Sequence, residues 1–428
     1  MLDRLANRVR GWYWEALEGT SRQQLAALAS AFGSWAELPA APRFDGWSDA
    51  LDALFAASPP LLVLDEFQRL VASAPELPSI LQARVSRSGG PRLIVCGSAF
   101  GAMRRLLGAD APLRGRASLE LVVRPFDYRT AARYWRVAEL RRAVQLHALV
   151  GGTPAYLDFA AGRSPAAFDS FDDWVCDVLL DPAGALFREG RLLVDEPGLH
   201  DRNLYHGVLA AVAAGRTRRG QIASALGRPE NTLAHALNAL VDLSLLERVD
   251  DPLHARRSVF RIAEPLLRTY QRLIAPNEGA IERRGAHRVW PTLRAGAGAQ
   301  LYGPHFEHLA REWVATHASE KTLGTPMPDA VGPSVVPDAP ARRELEIDVV
   351  ACTGSRLCAI GEAKWSPRPV GMDVLAVLER KRALLGERAV ASKLLLFASA
   401  GFTRALRDQA RARPDVELVD LRRLYRGS

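Results

Sequence analysis

Hydrophobic positions in the first 125 residues alternate between short continuous runs and helical spacing. The runs predict strands at Trp12–Ala16, Leu61–Asp65, Arg92–Gly97 and Leu119–Val123. Between them, stretches such as Arg22–Phe32 and Trp47–Ala57 read as helices. This alternation favours an α/β sheet. At the start, Leu2, Leu5, Ala6 and Val9 fall at i, i+3, i+4 and i+7, one face of a helix. Tyr128 to Glu189 is mostly helical in pattern, interrupted at Gly151-Gly152-Thr153-Pro154. Residues 201–275 carry three short helices and two strands, and Pro276 to Gly298 reads as a Gly/Arg-rich connector. From Tyr302 the order is helix, strands, helix, strand, with a Pro-rich loop at 325–340. The whole is an α/β multidomain chain, divided at 1–125, 126–200, 201–275, 276–300 and 301–428.

Composition narrows the class. With 428 residues, 48% apolar and 24% charged, wholesale disorder is excluded. The longest apolar runs, such as Leu61–Leu64 and Leu394–Phe397, fall far short of the ~20 residues of a membrane span. Met1–Arg10 is no secretory signal, and Cys96, Cys176, Cys352 and Cys358 show no C-x-x-C spacing. A cytoplasmic protein without a membrane partner is expected, and an oligomer is compatible with the sequence. The net charge of +8 is compatible with DNA as a partner and equally with a solvated basic surface. Of 56 basic residues 52 are arginine. That bias makes Lys321, Lys364, Lys381 and Lys393 the more informative cations.

Leu61-Leu62-Val63-Leu64 ends in Asp65-Glu66, and Leu93-Ile94-Val95-Cys96 ends in Gly97-Ser98. Strand ends in a parallel sheet face the ligand crevice, where Asp65 could hold Mg²⁺ and Glu66 polarise a water. Buried strands also end in acids for solubility alone. The combination resembles the Walker B and sensor-1 strands of AAA-like ATPases. Leu113-Arg114-Gly115-Arg116, Leu121–Phe126 and Gly151–Leu157 resemble the archaeal-type, DEXX-box branch of the AAA/STAND ATPases. The resemblance implies a P-loop NTPase sheet followed by a helical lid. It makes Asp65 and Glu66 the Walker B pair, Ser98 the sensor and Pro154 a residue near adenine. It makes Arg116 a phosphate-responsive arginine, unless that residue is simply a surface arginine near a turn. Mg²⁺ and ATP would be the cofactors.

One departure bears on activity. The sequence has no G-x-x-x-x-G-K-S/T, and none of its lysines follows a glycine. The P-loop supplies backbone N–H groups, a helix N-terminus and a lysine to the β- and γ-phosphates. A partial sheet that binds ATP poorly is therefore expected, with the chain starting one element after the P-loop.

Gln221–Leu226, Gly227-Arg228-Pro229 and Glu230–Leu243 read as helix, turn, helix. Leu233, Leu237, Leu240 and Val241 form its buried face, opposite Asn231, Thr232, His235 and Asn238. Leu246–Val249 and Ser258–Ile262 make a hairpin with its tip at Asp251–Arg257. This is a winged-helix pattern. Asn231, Thr232 and His235 could face a DNA groove and Arg256 and Arg257 could grip phosphates; alternatively the module packs internally and regulates.

In the last segment, Glu344–Cys352 and Leu357–Trp365 flank the turn Thr353-Gly354-Ser355-Arg356. Strand alternation puts Glu362 and Lys364 on one face, and pairing across the turn brings Asp348 close to Glu362. Such a cluster is costly to bury unless it is self-neutralising or binds metal. The pattern resembles the PD-(D/E)XK nuclease superfamily, a restriction-endonuclease-like α/β fold. The resemblance makes Asp348, Glu362 and Glu307 Mg²⁺ ligands, with Lys364 positioning or activating water. His305 and His308 could join a metal, or be solvated or capping. The family would couple nucleotide state to DNA-related or defence-related regulation; the other reading is a non-enzymatic DNA-binding regulator with vestigial sites.

Overall fold

The computed structural model describes residues 1–86, 90–98, 100–108, 111–193, 201–254 and 257–428. The protein is a mixed α/β multidomain chain that packs as two units, Met1–Val123 and Arg124–Ser428.

In the first unit, β1 (Trp12–Glu15), β2 (Leu61–Asp65) and β3 (Arg92–Val95) form a parallel sheet in the order β1-β2-β3. Parallel neighbours need crossovers, supplied here by helices that include Ser21–Trp35, Trp47–Ala57 and Leu77–Val85. The first is started by a capping box between Thr20 and Gln23. The central β2 is covered on both faces, which explains its unbroken apolar run. The opening helix, Leu2–Arg8, buries Ala6 against Leu61 and Val63 but leaves Leu5 and Val9 exposed, so only part of its expected apolar face is used. Gly11 is required by close approach, since a Cβ there would lie 2.5 Å from the Leu61 carbonyl oxygen.

The strand expected at Leu119–Val123 does not form. Those residues are irregular, and Leu119, Leu121, Val122 and Val123 are 76%, 72%, 53% and 69% exposed. Strand preference expresses packing against neighbours, and this segment has none in the sheet.

The second unit has a large core that runs from Tyr128 through the helices to Tyr425, beside separate cores under the hairpin and on the other face of the C-terminal sheet. Helices Tyr128–Tyr134, Leu140–Val150 and Gly303–Thr316 therefore pack with the C-terminal sheet, and the Tyr128 hydroxyl donates to the Leu424 carbonyl at 2.8 Å. The expected connector is helical instead: Glu278–Arg284 and Ala286–Ala297 bury Ile281, Val289 and Trp290. Apolar spacing outweighs the glycines there.

Helices Arg202–Ala213, Arg219–Leu226 and Ala234–Asp242, the last preceded by a 3₁₀ turn at Glu230–Leu233, lead into an antiparallel hairpin of β4 (Leu246–Asp250) and β5 (Ser258–Ile262). The final sheet has the order β10-β9-β8-β7-β6. Its strands are β6 (Ala330–Asp338), β7 (Arg343–Thr353), β8 (Arg356–Lys364), β9 (Lys393–Ala398) and β10 (Val416–Asp420). β6, β7 and β8 pair antiparallel, while β8, β9 and β10 pair parallel. β6 occupies what the prolines predicted to be loop. Being at the edge, it tolerates Pro333 and Pro337, and its register shifts between Gly332 and Ser334.

No described helix is long and apolar enough to cross a membrane. All four cysteines are free.

Candidate functional site

At the carboxyl end of β2, Asp65 accepts three hydrogen bonds from neutral donors. The Tyr13 hydroxyl reaches it at 2.7 Å, the Cys96 thiol at 2.9 Å and the Glu66 backbone N–H at 2.9 Å. Burial works to raise the Asp65 pKa, but the hydrogen bonds from Cys96, Tyr13 and Glu66 outweigh it and hold the carboxyl below its usual range. Burial and the Asp65 charge push the Tyr13 hydroxyl and the Cys96 thiol upward.

Glu66 adopts a left-handed conformation with φ 53°. The Ser98 hydroxyl donates to it at 3.1 Å, Gln68 Nε2 donates to the same oxygen, and Arg69 lies 3.6 Å away. Asp65, Glu66 and Ser98 therefore do meet at one end of the sheet. Arg116 is exposed, its backbone N–H on the Leu113 carbonyl at 3.1 Å. Pro154 belongs to the second unit, where it precedes the short helix Ala155–Phe159.

In the helix–turn–helix segment Leu233, Leu237 and Leu240 are buried, whereas Asn231, Thr232, His235 and Asn238 are exposed. Arg256 lies outside the described residues. Arg257 and Arg218 both face Glu344 on β7, at 3.5 and 3.7 Å. The hairpin tip is docked on β6: the Ser334 hydroxyl donates to Asp251 at 2.7 Å, and a Cβ on Gly332 would lie 2.5 Å from the Asp250 carbonyl oxygen.

The densest set of charges lies where β7 and β8 diverge. The ladder pairs Val349 with Gly361, and the Ala363 N–H donates to Asp348 Oδ2 at 2.8 Å. Lys364 Nζ is 2.5 Å from Glu362 Oε1 and 3.9 Å from Asp348 Oδ2. The other Glu362 oxygen is held by Lys381, a residue that strand-based reading passes over. Lys381 comes from helix Met372–Leu384, where Leu375, Leu378 and Lys381 are the buried positions. A lysine on that apolar stripe was the available signal.

Burial, and then the Glu362 charge, push the Asp348 carboxyl up. Burial, and then Asp348, push Glu307 up to about 7. Burial opposes the charge on Lys364, but its bond to Glu362 and the Asp348 charge win, so it stays protonated. The Arg311 guanidinium braces the cluster from helix Gly303–Thr316 through a 2.7 Å bond to the Asp348 carbonyl. Among the described residues, no three His, Cys, Asp or Glu side chains stand together as ligands of one ion would.

His305 and His308 turn away from this cluster, and His305 is neither solvated nor a cap. It is buried, with Nε2 2.9 Å from His147 Nδ1 and Nδ1 3.1 Å from Arg268. His308 meets Arg261 at 3.2 Å. A cavity of about 1020 Å³ opens beside Glu307 and Lys364, and its walls include Arg141, Arg142, Arg294, Gly298 and Trp365.

No protein-family model matches the chain. An uncharacterized protein of Methanocaldococcus jannaschii is 24% identical over 268 residues, covering 59% of this chain and 57% of that protein. The match thus spans little more than half the length of that relative. The Walker-type ATPase of Pyrococcus abyssi is similar over 59% of this chain and 78% of its own, with 20% identity and a TM-score of 0.45. A Vibrio cholerae protein covers 99% of this chain and 85% of its own, at 12% identity and a TM-score of 0.23. Can2 of Sulfobacillus thermosulfidooxidans, solved with cyclic tetra-adenylate, covers 86% and 90% at 13% identity and a TM-score of 0.19. None of these three reaches a TM-score of 0.5.

Proposed function

We propose that this is an archaeal-ATPase-type protein whose working site is the β7–β8 cluster, a metal-dependent phosphodiester hydrolase acting on nucleic acid. The observation that carries the reading is the half-exposed Lys364 standing 2.5 Å from Glu362 and 3.9 Å from Asp348 at the mouth of a cavity. A solvated surface does not need three charged groups at the end of a buried strand pair, and burying them is costly.

Glu307 and Asp348 fit a divalent cation, because both are half-buried carboxyls held hard to ionise, Glu307 by burial and then the Asp348 charge, Asp348 by burial and then the Glu362 charge. Such an ion, when bound, supplies Lewis-acid charge for the scissile phosphate and its attacking water. Lys364, kept protonated by the carboxylates, donates to a phosphate oxygen and offsets charge developing there; it is not the base. Arg311 and the Ala363 N–H fix the Asp348 backbone and carboxylate. The residues at Asp65 and Glu66 do not fit ATP by themselves: Asp65 already accepts three protein donors, and the sequence offers no glycine–lysine cradle.

Under the same proposal the helix–turn–helix and hairpin form a winged helix with a regulatory role in DNA-related or defence-related work. The docked hairpin tip supports an internal role over a phosphate grip. A second reading is favoured by Lys381: with lysines on both oxygens, Glu362 is already neutralised, as in a binding module with a vestigial site.

Incubating the full chain with labelled DNA and RNA and Mn²⁺ tests this. Cleavage that Asp348→Ala and Lys364→Ala both abolish supports the hydrolase. Binding without cleavage by the wild type, at any Mn²⁺ concentration, establishes the second reading.

A further inference from the structure

The cavity beside Lys364 has features that the cleavage chemistry does not use. Arg141, on helix Leu140–Val150, sits over Trp365, its guanidinium carbon 4.3 Å from the ring centroid. One of its nitrogens donates to the Ser366 carbonyl at 3.3 Å and the Ser399 hydroxyl at 3.2 Å. Trp365 is backed by Tyr302 and Phe306, each with centroids 5.7 Å away. The guanidinium is therefore held as a rigid plane in the cavity wall. Such planes, like aromatic rings, stack unpaired bases.

Two more arginines line the cavity. Arg142 is 3.5 Å from Glu139, and Arg294 is paired with Asp172, which also accepts from Trp290 Nε1 at 2.8 Å. A guanidinium carries five N–H donors, more than one carboxylate uses, so both arginines keep donors for phosphate. Gly298 follows Arg294 by one helical turn, in a single π-helical turn at Gly298–Tyr302, and a Cβ placed on it would meet nothing within 4 Å.

At about 1020 Å³ the cavity has the size of a small-ligand pocket. It suits unpaired nucleotides, whereas the bases of a duplex are hidden in the stack. We infer that this cavity is a subsite for single-stranded nucleic acid, with Arg141 on Trp365 as a base-stacking shelf and Arg142 and Arg294 as phosphate contacts leading to Lys364. The inference rests on the hydrolase reading for its direction, but its binding component is measured separately.

The experiment uses the full chain and fluorescein-labelled oligo(dT), oligo(U) and a blunt DNA duplex, with binding read by anisotropy in EDTA and cleavage read in Mn²⁺. Gly298→Leu fills the open space without touching charge. The double variant Arg142→Gln/Arg294→Gln removes charge without filling, and Arg141→Lys keeps charge but loses the plane. Each should weaken single-strand binding at least about tenfold and leave duplex binding within about twofold. Thermal melting identifies any variant that fails to fold, and the three routes are independent. Unchanged single-strand affinity in the folded variants, or an equal loss for duplex, overturns the inference. Selective loss of binding, with no cleavage by the wild type in Mn²⁺, upholds the subsite and overturns the hydrolase. The comparison of oligo(dT) with oligo(U) shows whether DNA or RNA is the preferred strand.

Discussion

Lys381 and Glu362 form a buried ion pair between helix Met372–Leu384 and β8, with side chains only 5% and 7% exposed. Lys364 completes the pair into a triad from the solvent side. Breaking a buried pair by removing one partner strands the other charge.

Because Lys364 still faces the other oxygen of Glu362, Lys381→Met is expected to cost less than a fully stranded charge, on the order of 1–3 kcal/mol, read as a lower urea midpoint. Adding Glu362→Gln to it should recover most of that loss, because no charge is then left buried. A double variant as unstable as the sum of the singles would contradict the pairing.

Glu264 gives a pH prediction away from the cluster. Burial pushes its carboxyl from the usual 4.5 up to about 7, against hydrogen bonds from the Leu266 N–H and the Thr153 hydroxyl. In this range the folded state holds a proton that the unfolded state has released. Its contribution is thus full below about pH 4.5 and is lost as pH rises to about 7. Compared with Glu264→Gln, the wild type should lose stability across that window, by up to about 1.4 kcal/mol per pH unit. Parallel stability curves for the two proteins would refute it.

Glu344 holds Arg218 and Arg257 in exposed pairs, each worth under about 1 kcal/mol. Glu344→Gln should leave the melting temperature nearly unchanged while freeing two guanidinium groups. Duplex binding should then become more salt-dependent, the slope of log K against log salt steepening by up to about 2. An unchanged slope would place both arginines away from any DNA.

Leu121 and Val123 are exposed next to no strand, a liability for self-association. Replacing both with Glu should reduce light scattering on warming and alter stability by no more than about 0.5 kcal/mol per site.

What the sequence disclosed follows from how local each signal is. The Asp348–Glu362 juxtaposition was legible from the turn at Gly354 and the alternation of side chains, but it also needs the one-residue register shift between Ala351 and Cys352, which no local pattern announces. β2 was legible because a buried parallel strand is a continuous apolar run. β6 was hidden by Pro333 and Pro337, which argue against a strand until its edge position is known. Leu119–Val123 failed in the opposite sense, since apolar alternation cannot say whether a neighbour exists. Lys381 was out of reach of strand reasoning, being 19 residues from Glu362, and Arg141 was further still, brought to Trp365 by packing alone.

The three donors on Asp65 have a consequence for what the end of β2 attracts. A hydroxyl, a thiol and an amide occupy three of its acceptor sites yet cancel none of its charge. Glu66 beside it shares Arg69 at 3.6 Å, and Arg69 also serves the Ala16 carbonyl at 3.1 Å. Arg69 faces Glu66 and the nearby terminal ammonium acts on Asp65, yet the two carboxylates' own charge favours a metal ion over a free polyphosphate at that edge. Any nucleotide that settled there would have to arrive with its charge already masked by a cation.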